Sequence, residues 1–131
     1  MEYIDVISKK KILEVDYKND YLGVHSNWFG LLSSRKETVN AMNMIIDNVR
    51  SHSASFLINE NTNLRGTWPC TQEDIDEWMD SLKNLRLKKL AHVVSPTILG
   101  QESSEMLTDS TWGFDVRYFD TFDKAKAWMR E

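Results

Sequence analysis

The stretch SFLINENTNLRGTWPCTQEDIDEWM, Ser55 to Met79, decides how this chain is read. A short apolar run, Phe56-Leu57-Ile58, stops at Asn59. A polar, turn-rich segment follows, and an acidic amphipathic pattern starts at Thr71. That sequence of textures predicts strand, loop, helix. In an α/β protein the loop after a strand is where ligands and modified residues gather. The strand is expected over 54–58, short and uninterrupted as in a sheet covered on both faces. Thr71 is expected to cap the helix, with Glu73 and Asp74 in its first turn favoured by the helix dipole. The helix would bury Ile75, Trp78, Met79, Leu82 and Leu85.

Upstream, Ile12 to Tyr17 alternates as a strand, with Leu13, Val15 and Tyr17 on one face. Lys18-Asn19-Asp20 carries turn chemistry, and Tyr21 to Ser26 reads as the returning strand of a hairpin. The first ten residues are open to two readings, an edge strand or a flexible start. A connector over 27–34 leads to Ser34, three residues before Glu37, which predicts a capping box. Val39, Met42, Ile46 and Val49, with Ile45, then mark a helix ending near 50–53. Downstream, Leu90 to Val94 reads as a buried strand ended by Pro96. The segment 98–112 is expected to be a helix with Leu99, Met106 and Leu107 inward. Phe114 to Phe119 reads as the last strand. Thr121 caps a final helix carrying Phe122, Ala125, Trp128 and Met129. The order β-β-α-β-α-β-α-β-α implies one α/β domain spanning 1–131, with a mixed, mostly parallel five-stranded sheet, an N-terminal hairpin and about four helices.

Composition narrows the function classes. A net charge of -4 disfavours a general nucleic-acid binder. The basic run Lys9-Lys10-Lys11 is short and reads as a solvated strand end. The single Cys70 forbids an internal disulfide. The opening residues lack the apolar core of a signal peptide, and no apolar run reaches membrane-spanning length, so a cytoplasmic protein without stable membrane insertion is expected.

Three segments resemble a known group. They are the hairpin ending at Trp28-Phe29-Gly30, the helix TQEDIDEWMDSLKN followed by LKKLAHVVS, and the terminal YFDTFDKAKAWMRE. Together they resemble the SpoIIAA-like superfamily of STAS domains and the related SEC14 fold, and within it small stand-alone bacterial proteins. The likeness covers most of 11–131, and the terminal motif is its most specific part. The resemblance implies one of two roles. Anti-sigma-factor antagonists are partner-switching proteins whose switch is a serine in an Asp-Ser-Ser-Gly-like turn after the third strand. SEC14-like relatives bind lipid and are longer. Here the matching segment is Asn59-Glu60-Asn61-Thr62, so the phosphorylatable serine is missing. Thr71 at a helix N-terminus would accommodate a phosphate, but a plain N-cap explains it more simply.

Chemistry-bearing residues are sparse. His25, His52 and His92 lack metal-ligand spacing, and no cofactor motif occurs. His92 is expected to be a packed, hydrogen-bonded strand residue, and His25 to lie near the functional edge. Cys70, just before the cap, could be activated by the helix N-terminus, but a small semi-buried residue under Trp68 is the simpler reading. Glu73, Asp74, Asp76 and Glu77 read as a solvated helix surface or a docking patch. The crevice beyond the carboxyl ends of the strands would gather Trp28, Asn59, Asn61, Arg65, Trp68, Cys70 and Ser95, with His25 near it, while Thr71 and Glu77 would extend a partner surface on the helix. Aromatics with amides and a lone arginine suit a small polar ligand or a peptide, and Trp28 and Trp68 would equally serve as lids over the core.

The sequence therefore predicts first a non-catalytic regulatory module with a protein partner at Trp68, Thr71 and Glu77. Second comes a carrier of a small apolar or polar ligand or a lipid, which needs an apolar pocket between sheet and helices. Third is a thiol enzyme, which needs Cys70 and His25 within hydrogen-bond reach. A homodimer through an N-terminal edge strand is compatible with all three.

Overall fold

The computed structural model describes residues 1–94, 108–109 and 112–131. Among them are seven strands: β1 (Glu2–Ile4), β2 (Lys11–Lys18), β3 (Gly23–Gly30), β4 (Phe56–Leu64), β5 (Lys89–Val93), β6 (Thr108–Asp109) and β7 (Asp115–Phe119). Three helices accompany them: α1 (Arg35–His52), α2 (Gln72–Asn84) and α3 (Phe122–Met129). The strands form one sheet in the order β1-β2-β3-β4-β5-β7-β6. β3, β4, β5 and β7 run parallel, and the outer pairings β1–β2, β2–β3 and β6–β7 are antiparallel.

Strand alternation sorts the side chains into two layers. Leu13, Val15, Val24, Trp28, Leu57, Leu90 and Val116 face α1 and α2, and with Met42, Ile45, Val49, Trp78 and Leu82 they make the main core. Ile58, Ala91 and Val93 face the other way and pack with Ala125, Trp128 and Met129 of α3. Successive crossovers of one hand put α1 and α2 on the same face.

Several expectations are corrected. The sheet has seven strands rather than five, because residues 2–4 pair with β2 and residues 108–109 pair with β7. The helix expected over 98–112 falls largely outside the described residues, as do Pro96 and Leu99. Its end is strand instead, Thr108 pairing with Arg117 along the free edge of β7. The returning hairpin strand starts at Gly23 and continues through Trp28 to Gly30, since the Leu13–Trp28 pairing keeps it in the ladder. At Gly23 an added Cβ would sit 2.5 Å from the Tyr21 ring and 2.8 Å from the Phe56 carbonyl oxygen. Most consequentially, β4 does not stop at Ile58. It runs to Leu64, held by β3 along its length and by β5 as far as Glu60. The polar run NENTN is therefore strand and not loop.

Helix starts follow local chemistry. Ser34 accepts from the Glu37 N–H at 3.2 Å, but Glu37 does not return the bond. Its buried carboxylate instead holds Tyr3 and the backbone of Val6, so the box is half-formed and the N-terminus is tied down. Asp5, fully buried, accepts from the backbone of Ile7 and Ser8 and from the Ser33 hydroxyl. At α2 the box is complete. Thr71 Oγ1 accepts from the Asp74 N–H at 3.1 Å, and Asp74 Oδ2 accepts from the Thr71 N–H at 2.9 Å. Asp74 is thus buried rather than part of a solvated patch. Arg35 pairs with it in a fork at 2.7 and 2.8 Å and, with the capping bond, holds its carboxyl well below the usual range. Among the described residues no helix is long and apolar enough to cross a membrane.

Candidate functional site: an aromatic cavity over the carboxyl ends of the parallel strands

On the α1/α2 face, β4, β5 and β7 end beneath the first half of α2 and the segment leading into it. Between them lies a cavity of about 460 Å³. Trp68 and Trp78 form one side of it, Asn61, His92 and Tyr118 the floor, and Ile75 part of the roof. Bulky rings prop this region open. Trp68 packs on Trp28 with centroids 4.8 Å apart and edge-on to Trp78 at 5.6 Å. The Trp78 indole is fixed by donating to the Met42 carbonyl at 3.1 Å. No described residue around the cavity carries a formal charge at neutral pH.

Its floor is set by a polar chain that starts in the core. The Trp28 indole N–H can only donate, and it donates to Asn59 Oδ1 at 2.8 Å. Ser26 Oγ donates to the same oxygen at 2.7 Å. These two bonds fix which way the Asn59 amide faces. Its Nδ2 is left to donate to His92 Nδ1 at 3.3 Å. Nδ1 must therefore be unprotonated, and the neutral ring carries its proton on Nε2. Burial pushes the His92 pKa down to about 4. The ring stacks on Tyr118 at 5.0 Å and lines the cavity. One place further along β4, Asn61 gives its Nδ2 to the Asn59 carbonyl at 3.5 Å, while its buried Oδ1 has no partner among the described residues.

The residues expected at the site divide. Asn59, Asn61 and Trp68 converge on the cavity. Trp28 is fully buried beneath Trp68, a core residue rather than a contact residue. His25 lies on the opposite face, bonded to Glu60 Oε1 at 2.7 Å and packed on the Phe122 ring of α3. Cys70 packs against the main core on the α1/α2 side, so the sheet separates it from His25. Burial, then Asp74, pushes the Cys70 thiol up, away from a reactive thiolate. Arg65 is exposed beside a neighbouring hollow that also holds Lys10 and Ser33. The Thr71 hydroxyl is engaged in capping, and Glu77 is exposed beside a hollow between α1 and α2. Ser95 lies outside the described residues. Among the described residues no group of three His, Cys, Asp or Glu could hold a metal ion.

Sequence reasoning missed His92, Trp78 and Tyr118 as cavity residues. One signal was available: Leu57, Asn59 and Asn61 recur at period two, which places two amides on an apolar face.

No family model matches the chain, and no curated protein matches it. A solved structure does: an uncharacterized protein from the DUF3478 family with a SpoIIAA-like fold, from Shewanella loihica PV-4. The match covers 89% of this chain and 91% of that one, with a TM-score of 0.56 and 10% sequence identity. The chain is similar to it in fold, and the SpoIIAA-like architecture expected from the sequence is present.

Proposed function

We propose that this domain is a non-catalytic binding module whose cavity takes a small organic molecule. One observation carries the reading: a cavity of about 460 Å³ with no charged group among its described lining residues, sided by Trp68 and Trp78 and floored by Tyr118 and oriented polar groups. Small-molecule sites have this size and makeup, and in open α/β sheets they lie beyond the carboxyl ends of the strands. The placement of Cys70 and His25 on opposite faces weighs against the thiol enzyme. A protein-partner role draws less support, because its three expected residues do different jobs: Trp68 faces the cavity, Thr71 caps, and Glu77 is exposed. For a homodimer the favourable observation is edge strand β1, beside which Ile4, Val6 and Ile7 are exposed.

The test is native mass spectrometry of the protein captured gently from its own cells, beside an Ile75→Trp variant that fills the cavity. The expected result is a small-molecule adduct on the parent, released on denaturation and absent from the variant. A parent mass that is bare or purely protein-bound in every preparation overturns the reading. A phosphoryl increment at Thr71 in that case would favour a regulatory switch.

A further inference from the structure

We propose that the ligand of this cavity is an uncharged, planar organic molecule that offers a carbonyl oxygen or ring nitrogen to the Nε2–H of His92. The inference rests on the reading of the cavity as a small-molecule site and adds the chemical class of its occupant.

Three features lead to it. The cavity walls are flat: Trp68, Trp78 and Trp112 contribute indole rings, and His92 with Tyr118 forms a stacked floor. Flat rings bury most area against a planar partner, with added gain from offset or edge-on contact. Second, no described residue around the cavity carries a charge. A buried ionic group without a counter-ion is strongly disfavoured, so a carboxylate, phosphate or ammonium finds no support among these residues. An anionic lipid head group is disfavoured for the same reason.

Third, the direction of one donor is settled by the chain behind it. Trp28 and Ser26 saturate Asn59 Oδ1, Asn59 Nδ2 then faces His92 Nδ1, and the imidazole proton is forced to Nε2. Protonating Nδ1 would set two donors against each other, which together with burial keeps the ring neutral. No described residue accepts from Nε2, and that atom is not sealed within the protein as the Asn61 oxygen is. The accessible space beside His92 is the cavity. A donor fixed at the cavity floor selects an acceptor, because a ligand that covers it without one leaves it unsatisfied.

The test uses three flat two-ring probes on the full chain, followed by the indole N–H signals of the tryptophans in NMR. Coumarin is neutral and carries a carbonyl, naphthalene lacks an acceptor, and 2-naphthoate carries a charge. Coumarin is expected to bind tightest. His92→Phe, which keeps a ring against Tyr118, should weaken coumarin by about three- to tenfold and abolish its advantage over naphthalene. Equal binding of coumarin and naphthalene, strongest binding of 2-naphthoate, or no binding of any probe overturns this inference. The small-molecule reading is judged separately by the native adduct. A readout needing no variant is the ¹⁵N spectrum of His92 at pH 7.5. A proton on Nε2 is expected, and a proton on Nδ1 or a charged ring overturns the proposal.

Discussion

β4 sets Asn59 and Glu60 side by side and turns them to opposite faces of the sheet. Each meets a histidine on a neighbouring strand. Asn59 meets His92 of β5 under α2, at 3.3 Å, and Glu60 meets His25 of β3 under α3, at 2.7 Å. The partner atoms differ in kind. The Asn59 amide nitrogen can only give a hydrogen bond, so it demands a bare Nδ1 and a neutral ring. The Glu60 carboxylate only accepts, taking one bond from His25 Nε2 and one from Thr62 Oγ1. Bonding to His25 lowers the Glu60 pKa against the opposing effect of burial. Two histidines in one sheet thus receive opposite instructions from adjacent residues. The inner pair belongs to a cavity whose described lining residues carry no charge, whereas the outer pair sits by a hollow holding Asp20 and Lys126.

The sharpest way to break this comparison is Asn59→Leu. Leucine approximates the volume but strips partners from the Trp28 indole N–H, the Ser26 hydroxyl and His92 Nδ1 at once. Each buried group left unmet costs about 1–3 kcal/mol, and Ser26 retains a long contact to the Ile58 carbonyl. The expected loss is about 3–5 kcal/mol in urea unfolding at pH 7. A loss below about 1 kcal/mol would mean that Asn59 does not organise the inner face.

That hub shows how far the sequence could be read. The parallel order, the hairpin and the caps at Thr71 and Thr121 were legible because period, turn residues and cap residues are local signals. The extent of β4 was not. Asparagine, glutamate and threonine in succession resemble loop, and here tertiary partners override that preference: β3 pairs the backbone, and Trp28, Ser26 and His92 satisfy Asn59. Those partners are 31 to 33 positions away in sequence, so no window around Asn59 reveals them. The cavity follows the same logic. Trp68 and the two asparagines were identified through their expected place at the sheet edge, while His92 looked like an ordinary strand residue. Its role depends on which nitrogen Asn59 faces, a matter of three-dimensional hydrogen bonding.

Acid titration probes the inner pair next. A histidine whose folded pKa lies below its unfolded value leaves the unfolded chain holding more protons. The His92 contribution is therefore fully present above about pH 6.5 and is lost as pH falls from 6.5 toward 4. The loss approaches about 3 kcal/mol. His92→Phe should flatten the stability profile between pH 6.5 and 4.5, a window above the ordinary range of carboxylates. A parent profile already flat there would mean that Asn59 and the surrounding packing do not hold the His92 ring neutral. Asn59→Asp should remove the same acid-side slope and create one of opposite sign above pH 6.5. It replaces the amide nitrogen with an acceptor and so copies the outer pair onto the inner face. The His92 pKa, read by ¹⁵N NMR, is expected to rise from about 4 to above 6.5.

Glu60→Gln probes the outer face and should have the smallest effect. The glutamine oxygen still accepts from His25, and the Thr62 hydroxyl can rotate to accept from the new amide. What disappears is charge assistance to one part-buried and one exposed bond, expected to cost about 1 kcal/mol at pH 7. The pH dependence carries its own sign. The Glu60 carboxyl has a folded pKa below its ordinary 4.5, so its contribution is present above that value and fades as pH falls below it. The variant should converge on the parent in that acid range. A cost of about 3 kcal/mol or more at pH 7 would make the outer pair as unforgiving as Asn59. The contrast between a pair that tolerates exchange of its acceptor and a hub that fixes a proton would then fail.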